Sequence, residues 1–375
     1  MRKVAVFFGG KSCENEISVL TGVFVLNLID REKFSPFPVY VHTDGGMYTS
    51  PMMTDLNFFK EKKFAQTDRI FFDGDTVYAM NIKKGRVKRL AKIDVAINCC
   101  HGGLGEGGGV SALAEWNGIP LASPELTPSG VFMDKSITKL IARALSVPTV
   151  DYLRVNEKDY EKRGAFLLKS VESRLKYPVI VKPAHLGSSI GIALARNEGE
   201  VKEALKEAFA LDSRVIIEKF LPDKKDVNCA AYSINGEIVI SEPELAFGEG
   251  VYSFEDKYIR RSGDFGTPMT AKGGGRVALN GELREKIRAY TRTVYKRMSL
   301  QGVVRMDFLV SEGKAYLCEV NTVPGSLAYY LFCDRVVEAK NFFTDLLEDA
   351  LRRSKEGEKK LVTTGILNAV RWRSK

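Results

Sequence analysis

Strands that end in glycine-rich loops and lead into helices constrain this fold more than any other feature of the sequence. The apolar run "VAVFFGG" is followed by "ENEISVLTGVFVLNLI", whose apolar residues recur near helical spacing. A second apolar run, "IDVAINCC", leads into "HGGLGEGGG" and then into the helical "VSALAEWNG". Open α/β sheets bind ligands at the carboxyl ends of their strands. The sequence therefore predicts an N-terminal α/β domain with a parallel sheet and a binding crevice beside both glycine loops.

The order of elements changes after residue 123. The helices "DKSITKLIARALS" and "EGEVKEALKEAFAL" alternate with the strands "PVIVKP" and "RVIIEKFL", and further strands follow on both sides of the helix "LREKIRAYTRTVYKRM". Because 375 residues are too many for one core, we expect three domains, at 1–123, 124–217 and 218–375. Residues 247–275 are too long for an ordinary connection, so they are predicted to form a functional lid.

Composition excludes several classes of protein. No stretch reaches the roughly 18 apolar residues that a membrane span needs, and six scattered cysteines favour reduced thiols in a cytoplasm. The formal charge of +9 raises the possibility of nucleic-acid binding. The basic run "KKGRVKRLAK" (83–92), however, is predicted in a hairpin or loop and lacks interleaved aromatics, which favours a solvated surface. A basic protein also suits small anions such as nucleotide phosphates.

The stretch "VIVKPAHLGSSIGI" (179–192) carries a polar loop between two β-branched runs. Its glycines allow backbone N–H groups to point at anionic oxygens, and Lys182 supplies a compact positive charge. These properties predict a phosphate-binding loop. A plain turn between strands is an equally good interpretation of this stretch alone, because it does not match the P-loop pattern.

A second polar set lies on the last predicted strand pair. Asp307 belongs to "RMDF", and Glu319 and Asn321, two residues apart in "CEVNT", share one face of the next strand. Two carboxylates and an amide oxygen can hold magnesium between nucleotide phosphates, and only three histidines make a histidine-rich metal site improbable. The alternative is ordinary solvent-facing polarity, which the apolar residues around this set disfavour.

Taken in order along the chain, these motifs resemble those of the ATP-grasp superfamily. The resemblance rests on Lys135 in "MDK", Lys182 in "VKPAHLGSSIG", "IIEKFL" at 216–221, "RMDF" at 305–308 and "EVNTVPG" at 319–325. Within that superfamily, "FFGGKSCENEISV", "HGGLGEGG" and "FEDKY" make the chain resemble the D-alanine–D-alanine ligase family, from the first strand to about residue 331. The implied fold is α/β, with α+β character in the ATP-binding half: an ATP-grasp fold with an N-terminal Rossmann-like parallel-sheet domain.

The resemblance also implies a set of nucleotide-binding residues. Lys135 and Lys182 would hold the phosphates of ATP, together with Ser188 and Lys257. Glu218, Lys219, Phe220 and Leu221 would form the adenine-binding hinge. Asp226 stands where the family usually has a ribose-binding glutamate. The magnesium ligands would be Asp307, Glu319 and Asn321, holding two Mg²⁺ ions that Mn²⁺ can replace.

The substrate residues follow from the same resemblance. Glu14 would receive the ammonium group of the first substrate, with His101 nearby, and Tyr330 and Leu331 would border the second. Ser189 and Tyr258 would join Glu14 in a hydrogen-bonded bridge that closes the lid. Arg305 and the backbone of Gly325 would stabilise the oxyanion, which suits a guanidinium and an N–H group.

The implied activity is the ATP-dependent joining of two D-alanines through an acyl phosphate, for peptidoglycan precursor synthesis. Tyr330 departs from the small hydroxyl residue usual in the family, so a ligase with D-lactate, D-serine or another amino acid as second substrate is the main alternative. A nucleotide-binding protein without ligase activity is another, and the presence of Glu14 and Arg305 argues against it. We expect no nucleic-acid or membrane partner. Apolar residues beyond one face of the first helix predict a homodimer.

Overall fold

The computed structural model describes residues 1–81, 84–246, 279, 281–357, 362 and 364–366. Within these residues the strands form three sheets, and the helices pack against them. The predicted lid, 247–275, lies outside the described residues.

The first sheet has the strand order β6-β5-β4-β3-β2-β1-β7. Its strands are β1 (Arg2–Gly9), β2 (Phe34–Val41), β3 (Met47–Thr49), β4 (Asp68–Asp73), β5 (Thr76–Asn81), β6 (Arg86–Lys92) and β7 (Val95–Asn98). Only β2, β1 and β7 run parallel. The other strands pair antiparallel, the arrangement that short connections allow. The predicted parallel sheet is therefore confined to these three strands.

Both faces of β1 are buried. Val4, Val6 and Phe8 belong to one hydrophobic core, which includes residues of the first helix. Ala5 and Phe7 point the other way and belong to a second core. Burial on both faces explains why this strand is a continuous apolar run rather than an alternating one.

The other two sheets carry the predicted motifs from residue 179 onward. The second sheet has the order β10-β9-β11-β8 and the third the order β13-β12-β15-β16, with β14 paired to β12. Their strands are β8 (Tyr152–Asn156), β9 (Val179–Pro183), β10 (Ala193–Ala195), β11 (Arg214–Lys219), β12 (Lys225–Ile234), β13 (Glu237–Ile240), β14 (Glu244–Leu245), β15 (Val304–Ser311) and β16 (Lys314–Asn321). Because β11 ends at Lys219, the domain boundary predicted near 217 falls inside a strand of the second sheet.

The helices cover these sheets. They are α1 (Asn15–Leu28), α2 (Leu56–Lys60), α3 (Val110–Trp116), α4 (Leu126–Phe132), α5 (Lys135–Ala144), α6 (Glu157–Ser170), α7 (Glu198–Phe209), α8 (Gly281–Arg297) and α9 (Ala339–Glu356). Residues of α9 pack in the same core as β1 and α1, so the C-terminal part of the chain is attached to the first sheet. Among the described residues, no helix combines the length and apolar character needed to cross a membrane.

The described part of the basic run, 84–92, contributes the second strand of a hairpin, one of the two contexts predicted for the run. From residue 86 it is β6, which pairs antiparallel with β5 at the edge of the first sheet. Its side chains from Arg86 to Arg89 are exposed. Charged side chains are a common means of preventing an edge strand from pairing with other chains. The interpretation as a solvated surface is therefore supported.

The apolar residues of α1 are buried within the chain itself. They pack on β1 from one side and on α9 and residues 325–331 from the other. Leu20, at 36% exposure, is the large apolar residue of this helix that reaches the surface. Contacts within the chain therefore explain why α1 has apolar residues on more than one face. The homodimer stays a prediction, and this pattern no longer supports it.

Candidate active site

Glu14 lies between the end of β1 and the start of α1, beside the glycine loop that follows β7, and is only 9% exposed. A Cβ atom on Gly102 would lie 2.6 Å from Glu14 Oε2, and one on Gly187 would lie 2.9 Å from it. Gly102 also has a φ of +66°, which other residues rarely adopt. Both glycines are therefore needed for two loops to close around the carboxylate. An enclosed carboxylate of this kind is suited to receive an ammonium group.

Ser188 is the serine that contacts this carboxylate, and its hydroxyl donates to Glu14 Oε1. We expected Ser189 in this role, bridged to Tyr258, and Ser188 near the phosphates. Ser188 and Ser189 have φ values of +52° and +61°. The backbone turns sharply here, so a shift of one residue decides which hydroxyl faces Glu14. Tyr258 and Lys257 lie outside the described residues, and the roles predicted for them stay predictions.

His101 is buried, and both of its ring nitrogens have partners. Nδ1 lies 2.8 Å from the carbonyl oxygen of Val323, and Nε2 lies 2.8 Å from the hydroxyl of Thr21. A carbonyl oxygen only accepts, so Nδ1 carries the proton and Nε2 accepts from Thr21. Burial lowers the pKa of His101 to about 4, which keeps the ring neutral near pH 7. His101 thus holds Val323 in place, and its predicted contact with substrate stays a prediction.

Glu106, which the sequence analysis did not identify, also holds Val323 in place. Its Oε2 accepts from the backbone N–H of Gly102 at 2.8 Å, and its Oε1 accepts from that of Val323 at 3.3 Å. Burial raises the pKa of Glu106 to about 7. Val323 is therefore held by both of its backbone polar groups. An acid inside a glycine loop is the sequence signal that could have identified Glu106.

The 3₁₀ segment that begins at Gly325 follows directly and is strained. Ser326, Leu327 and Ala328 have φ values of +50°, +53° and +50°, a conformation that costs about 1–2 kcal/mol per residue. Leu327 and Ala328 are buried in the core beside the first sheet. Strain of this kind persists only where the surroundings impose it, and it clusters at functional sites. Apart from its two chain neighbours, none of the residues that the structure describes has an atom within 4 Å of the Cβ position of Gly325, so the predicted oxyanion donor borders open space in this part of the chain.

Lys135 and Lys182, the predicted phosphate ligands, are both nearly enclosed, at 8% and 5% exposure. Lys135 begins α5, and its Nζ donates to the carbonyl of Leu186 and lies 3.6 Å from Glu319 Oε2. Lys182 lies on β9, with Nζ 2.8 Å from Glu218 Oε2. The two cations thus converge where α5, the second sheet and the third sheet meet.

A third lysine, Lys139, belongs to the same cluster and was also missed. Its Nζ lies 2.7 Å from Glu218 Oε1 and donates to the hydroxyl of Thr149 at 2.9 Å. Burial alone would raise the pKa of Glu218, but Lys139 and Lys182 outweigh it and lower that pKa to about 2. Lys135 and Lys139 are four residues apart and so share a face of α5. That spacing is the signal that could have identified Lys139.

The predicted adenine hinge continues from this cluster. The backbone N–H groups of Lys219 and Phe220 donate to carbonyl oxygens within the chain, at 2.9 and 3.4 Å. Hydrogen bonds to adenine would therefore come from the backbone carbonyl groups of this stretch or from Leu221. Asp226, the predicted ribose contact, lies on β12 and accepts a hydrogen bond from Lys224 Nζ.

Asp307, Glu319 and Asn321 lie together on the β15–β16 hairpin. Asp307 is directly opposite Glu319, and Arg305 is opposite Asn321, so all four share one face of the sheet. Asn321 Nδ2 donates to Asp307 Oδ2 at 3.0 Å. Among the residues that the structure describes, no three His, Cys, Asp or Glu side chains form a metal-binding group. The predicted set instead combines two carboxylates with an amide, a donor set that fits Mg²⁺.

Arg305 connects this hairpin to the strained segment. Its Nε and Nη2 donate to the two oxygens of Asp307 at 2.7 and 2.8 Å, and its Nη1 donates to the hydroxyl of Tyr330 at 3.2 Å. Burial lowers the pKa of Arg305, but Asp307 and Tyr330 outweigh it and raise that pKa well above its ordinary value. Tyr330 therefore faces the guanidinium. Leu331, the other predicted neighbour of the second substrate, packs against the core beside the first sheet.

His185 anchors the loop that follows Lys182. Its ring Nδ1 lies 2.9 Å from Asp212 Oδ2, and its Nε2 lies 3.5 Å from Asp134 Oδ2. Asp134 also caps α5 by accepting from the backbone N–H of Ser136. Hydrogen bonds to Asp134 and Asp212 raise the pKa of His185 to about 9. The imidazolium thus connects the loop to the helix that carries Lys135.

This geometry predicts a stability that depends on pH. The pKa of His185 is raised from 6.5 to about 9, so its contribution is fully present below pH 6.5 and is lost as pH rises through about 9. Because the side chain is 34% exposed, we expect a contribution of only about 1–2 kcal/mol. Urea unfolding of the wild type and His185→Gln measures it: the difference in unfolding free energy should shrink between about pH 6 and pH 10. An equal difference at both pH values would contradict the assignment.

The buried lysines, the acidic hairpin and the loops at the carboxyl ends of β1 and β7 define the class of the chain as an ATP-grasp enzyme. Family models extend this assignment. The model for the D-ala D-ala ligase N-terminus matches residues 3–124, and the model for the C-terminus matches residues 141–352. The chain therefore belongs to the D-alanine–D-alanine ligase family. The predicted family, fold class and enzyme class, an ATP-dependent ligase, are confirmed.

Known relatives agree over nearly the whole chain. A D-alanine–D-alanine ligase of Thermosipho africanus is 34% identical over 339 residues, which cover 88% of each chain. The crystal structure of D-alanine–D-alanine ligase from Helicobacter pylori has a TM-score of 0.74 at 26% identity and covers 94% of this chain and 98% of its own. A D-Ala:D-Ser ligase of Enterococcus faecalis has a TM-score of 0.73 at 22% identity, covering 94% of this chain and 99% of its own. That last likeness concerns the fold alone.

Proposed function

We propose that this ligase joins two D-alanines in two ATP-dependent steps, giving D-alanyl-D-alanine for peptidoglycan precursors. One observation carries the proposal: a series of contacts between neighbouring residues of the predicted site. Ser188 donates to Glu14; Leu186, two residues before Ser188, accepts from Lys135; and Lys135 faces Glu319. Asp307, opposite Glu319, connects to Arg305. Groups suited to an ammonium, to phosphates and to an oxyanion are therefore close together in the fold.

The first D-alanine binds by its ammonium group to Glu14. The two glycine-lined loops exclude water from this carboxylate, which strengthens the ion pair. The substrate carboxylate is thereby directed along the crevice toward Lys135 and Lys182, which hold the phosphates of ATP. Positioning of the two reactants next to each other removes much of the entropic part of the barrier.

In the first step the substrate carboxylate oxygen attacks the γ-phosphorus of ATP, and ADP leaves. Lys135 and Lys182 offset the negative charge that builds up on the phosphoryl oxygens. Asp307, Glu319 and Asn321 would hold two Mg²⁺ ions, replaceable by Mn²⁺. When bound, these ions act as Lewis acids on the phosphate oxygens. The product of this step is an acyl phosphate, in which the carboxyl carbon is activated.

In the second step the amine of the second D-alanine attacks that carbon. The amine loses a proton before attack, and inorganic phosphate leaves as the tetrahedral intermediate collapses. Arg305 and the backbone N–H of Gly325 stabilise the oxyanion. The strained segment beginning at Gly325 is held by His101 and Glu106 through Val323, which keeps this donor oriented.

A different second substrate is the candidate that Tyr330 favours. Its phenol accepts from Arg305, in a position where the family usually has a small hydroxyl residue. The larger ring reshapes the pocket for the second substrate, so D-lactate or D-serine is the competing acceptor. Loss of the Tyr330 ring in Tyr330→Ser should change the preference among acceptors if the ring controls it.

Product analysis tests the proposal. Purified enzyme is incubated with ATP, Mg²⁺ and D-alanine, alone or mixed with D-serine, D-lactate or L-alanine, and the products are separated by chromatography. We expect ADP, phosphate and D-alanyl-D-alanine in equal amounts, with little depsipeptide near neutral pH. Mainly D-alanyl-D-lactate or D-alanyl-D-serine would support the competing acceptor. ATP hydrolysis without any dipeptide or depsipeptide would contradict both. The homodimer and the cytoplasmic location stay predictions.

A further inference from the structure

Glu218 is held between two buried lysines. Lys139 Nζ lies 2.7 Å from its Oε1, and Lys182 Nζ lies 2.8 Å from its Oε2. The three residues are 0%, 3% and 5% exposed, in the order Lys139, Glu218 and Lys182. Burial of ions is costly unless each charge is compensated. The group nevertheless carries one positive charge in excess.

Lys139 is completely enclosed by the chain. Besides Glu218, its Nζ contacts the hydroxyl of Thr149 at 2.9 Å and lies 5.6 Å from the centre of the Tyr152 ring. Its side chain has no exposed surface. A lysine enclosed in this way can act on a nucleotide only through its neighbour, Glu218.

Lys182 faces the other way, toward the acidic hairpin. Its Nζ donates to Cys318 Sγ at 3.6 Å, and Cys318 precedes the predicted metal ligand Glu319. If Lys182 were the only partner of Glu218, the pair would be neutral, and the carboxylate would compete with phosphate for the ammonium group. The second lysine removes that competition, because it compensates the charge of Glu218 from the opposite side.

We propose that Lys139 is a positioning residue for the nucleotide: it neutralises Glu218, so that Lys182 keeps its positive charge available to the phosphates of ATP. The proposal rests on the proposed function, in which Lys182 binds those phosphates. When ATP binds, its negatively charged phosphates compensate the excess positive charge of Lys139, Glu218 and Lys182. Lys139 contributes to the affinity for the nucleotide without contacting it.

Lys139→Met tests this proposal, because methionine has similar length and no charge. We expect the Kd for ADP, measured by calorimetry on the full chain, and the KM for ATP to rise about tenfold. The KM for D-alanine and the kcat at saturating ATP should change by less than about threefold, because the effect is on nucleotide binding. Lys202→Met is the matched control, since Lys202 pairs with Glu198 at 2.6 Å on the surface of α7 and should change none of these values.

A structural role alone would give a different result. Val171→Ala removes part of a fully buried side chain in the core of the second sheet, so it should lower the melting temperature without a change in the Kd for ADP. If Lys139→Met behaves like Val171→Ala, the proposal is wrong. The decisive comparison is between Glu218→Gln and the double variant Lys139→Met/Glu218→Gln, because in both the carboxylate no longer competes for Lys182. The Kd for ADP should differ by less than about threefold between these two variants.

The double variant can still be measured if Lys139→Met alone fails to fold, since it removes the opposite charges of Lys139 and Glu218 together. A tenfold loss of affinity in the Glu218→Gln background would overturn the proposal, because Lys139 would then act independently of Glu218. Lys182→Met separates this failure from that of the proposed function. Weaker ADP binding in Lys182→Met but not in Lys139→Met would overturn only the role of Lys139. Unchanged binding in Lys182→Met would overturn the phosphate contact itself.

Discussion

Asp307→Asn and Glu319→Gln are each expected to reduce turnover about 100- to 1000-fold, equivalent to about 3–4 kcal/mol of transition-state stabilisation. Each substitution keeps the size of the side chain and removes one negative charge from the face of the β15–β16 hairpin. Metal affinity falls with that charge, so the concentration of Mg²⁺ needed for half-maximal activity should rise in both variants. Phosphate release at increasing Mg²⁺ concentration measures both effects.

Glu312→Gln provides the control for this experiment. Glu312 is exposed in the turn of the same hairpin, so the same chemical change there should leave turnover and the Mg²⁺ requirement unaltered. Circular dichroism should give the same folded spectrum for all three variants. Activity close to wild type in both Asp307→Asn and Glu319→Gln would mean that these carboxylates are only polar surface groups.

The fold could be predicted to the extent that local patterns determine it. The run around β1 is apolar because the strand is buried on both faces, and its glycine loop and α1 follow in the predicted order. The antiparallel strands β3 to β6 could not be assigned to the same sheet. Each pairs with its neighbour in sequence, but no local pattern shows that this antiparallel series extends the sheet that contains β1.

The candidate site was predictable where chemistry and spacing agree. Glu319 and Asn321 share a face because they are two residues apart, and their opposition to Asp307 follows from the short turn between the strands. Ser188 and Ser189 are adjacent, so their roles depend on backbone angles that the sequence does not reveal. Lys139 could have been inferred because it lies four residues after Lys135. Its pairing with Glu218 could not, because Glu218 lies on a strand far away in the sequence.

Arg305→Lys is the second substitution from which we expect a large effect. Lysine keeps the positive charge but cannot contact Asp307 with two nitrogens and Tyr330 with a third, because it has no planar fork of donors. Loss of a preorganised oxyanion donor lowers kcat about 100- to 1000-fold. The KM for ATP should stay within about threefold of wild type, because the contact forms only as the oxyanion develops. Steady-state kinetics with ATP and D-alanine measure both quantities.

Two comparisons separate the oxyanion role of Arg305 from a structural one. Arg353→Lys alters an arginine that is paired with Asp349 at 2.9 Å in α9, so it should lower stability at most and leave kcat unchanged. The Mg²⁺ requirement of Arg305→Lys should match that of the wild type, whereas Asp307→Asn raises it. If Arg305→Lys instead shares the raised Mg²⁺ requirement of Asp307→Asn and recovers kcat at high Mg²⁺, then Arg305 serves to orient Asp307. In that case oxyanion stabilisation would have to come from the strained segment beginning at Gly325.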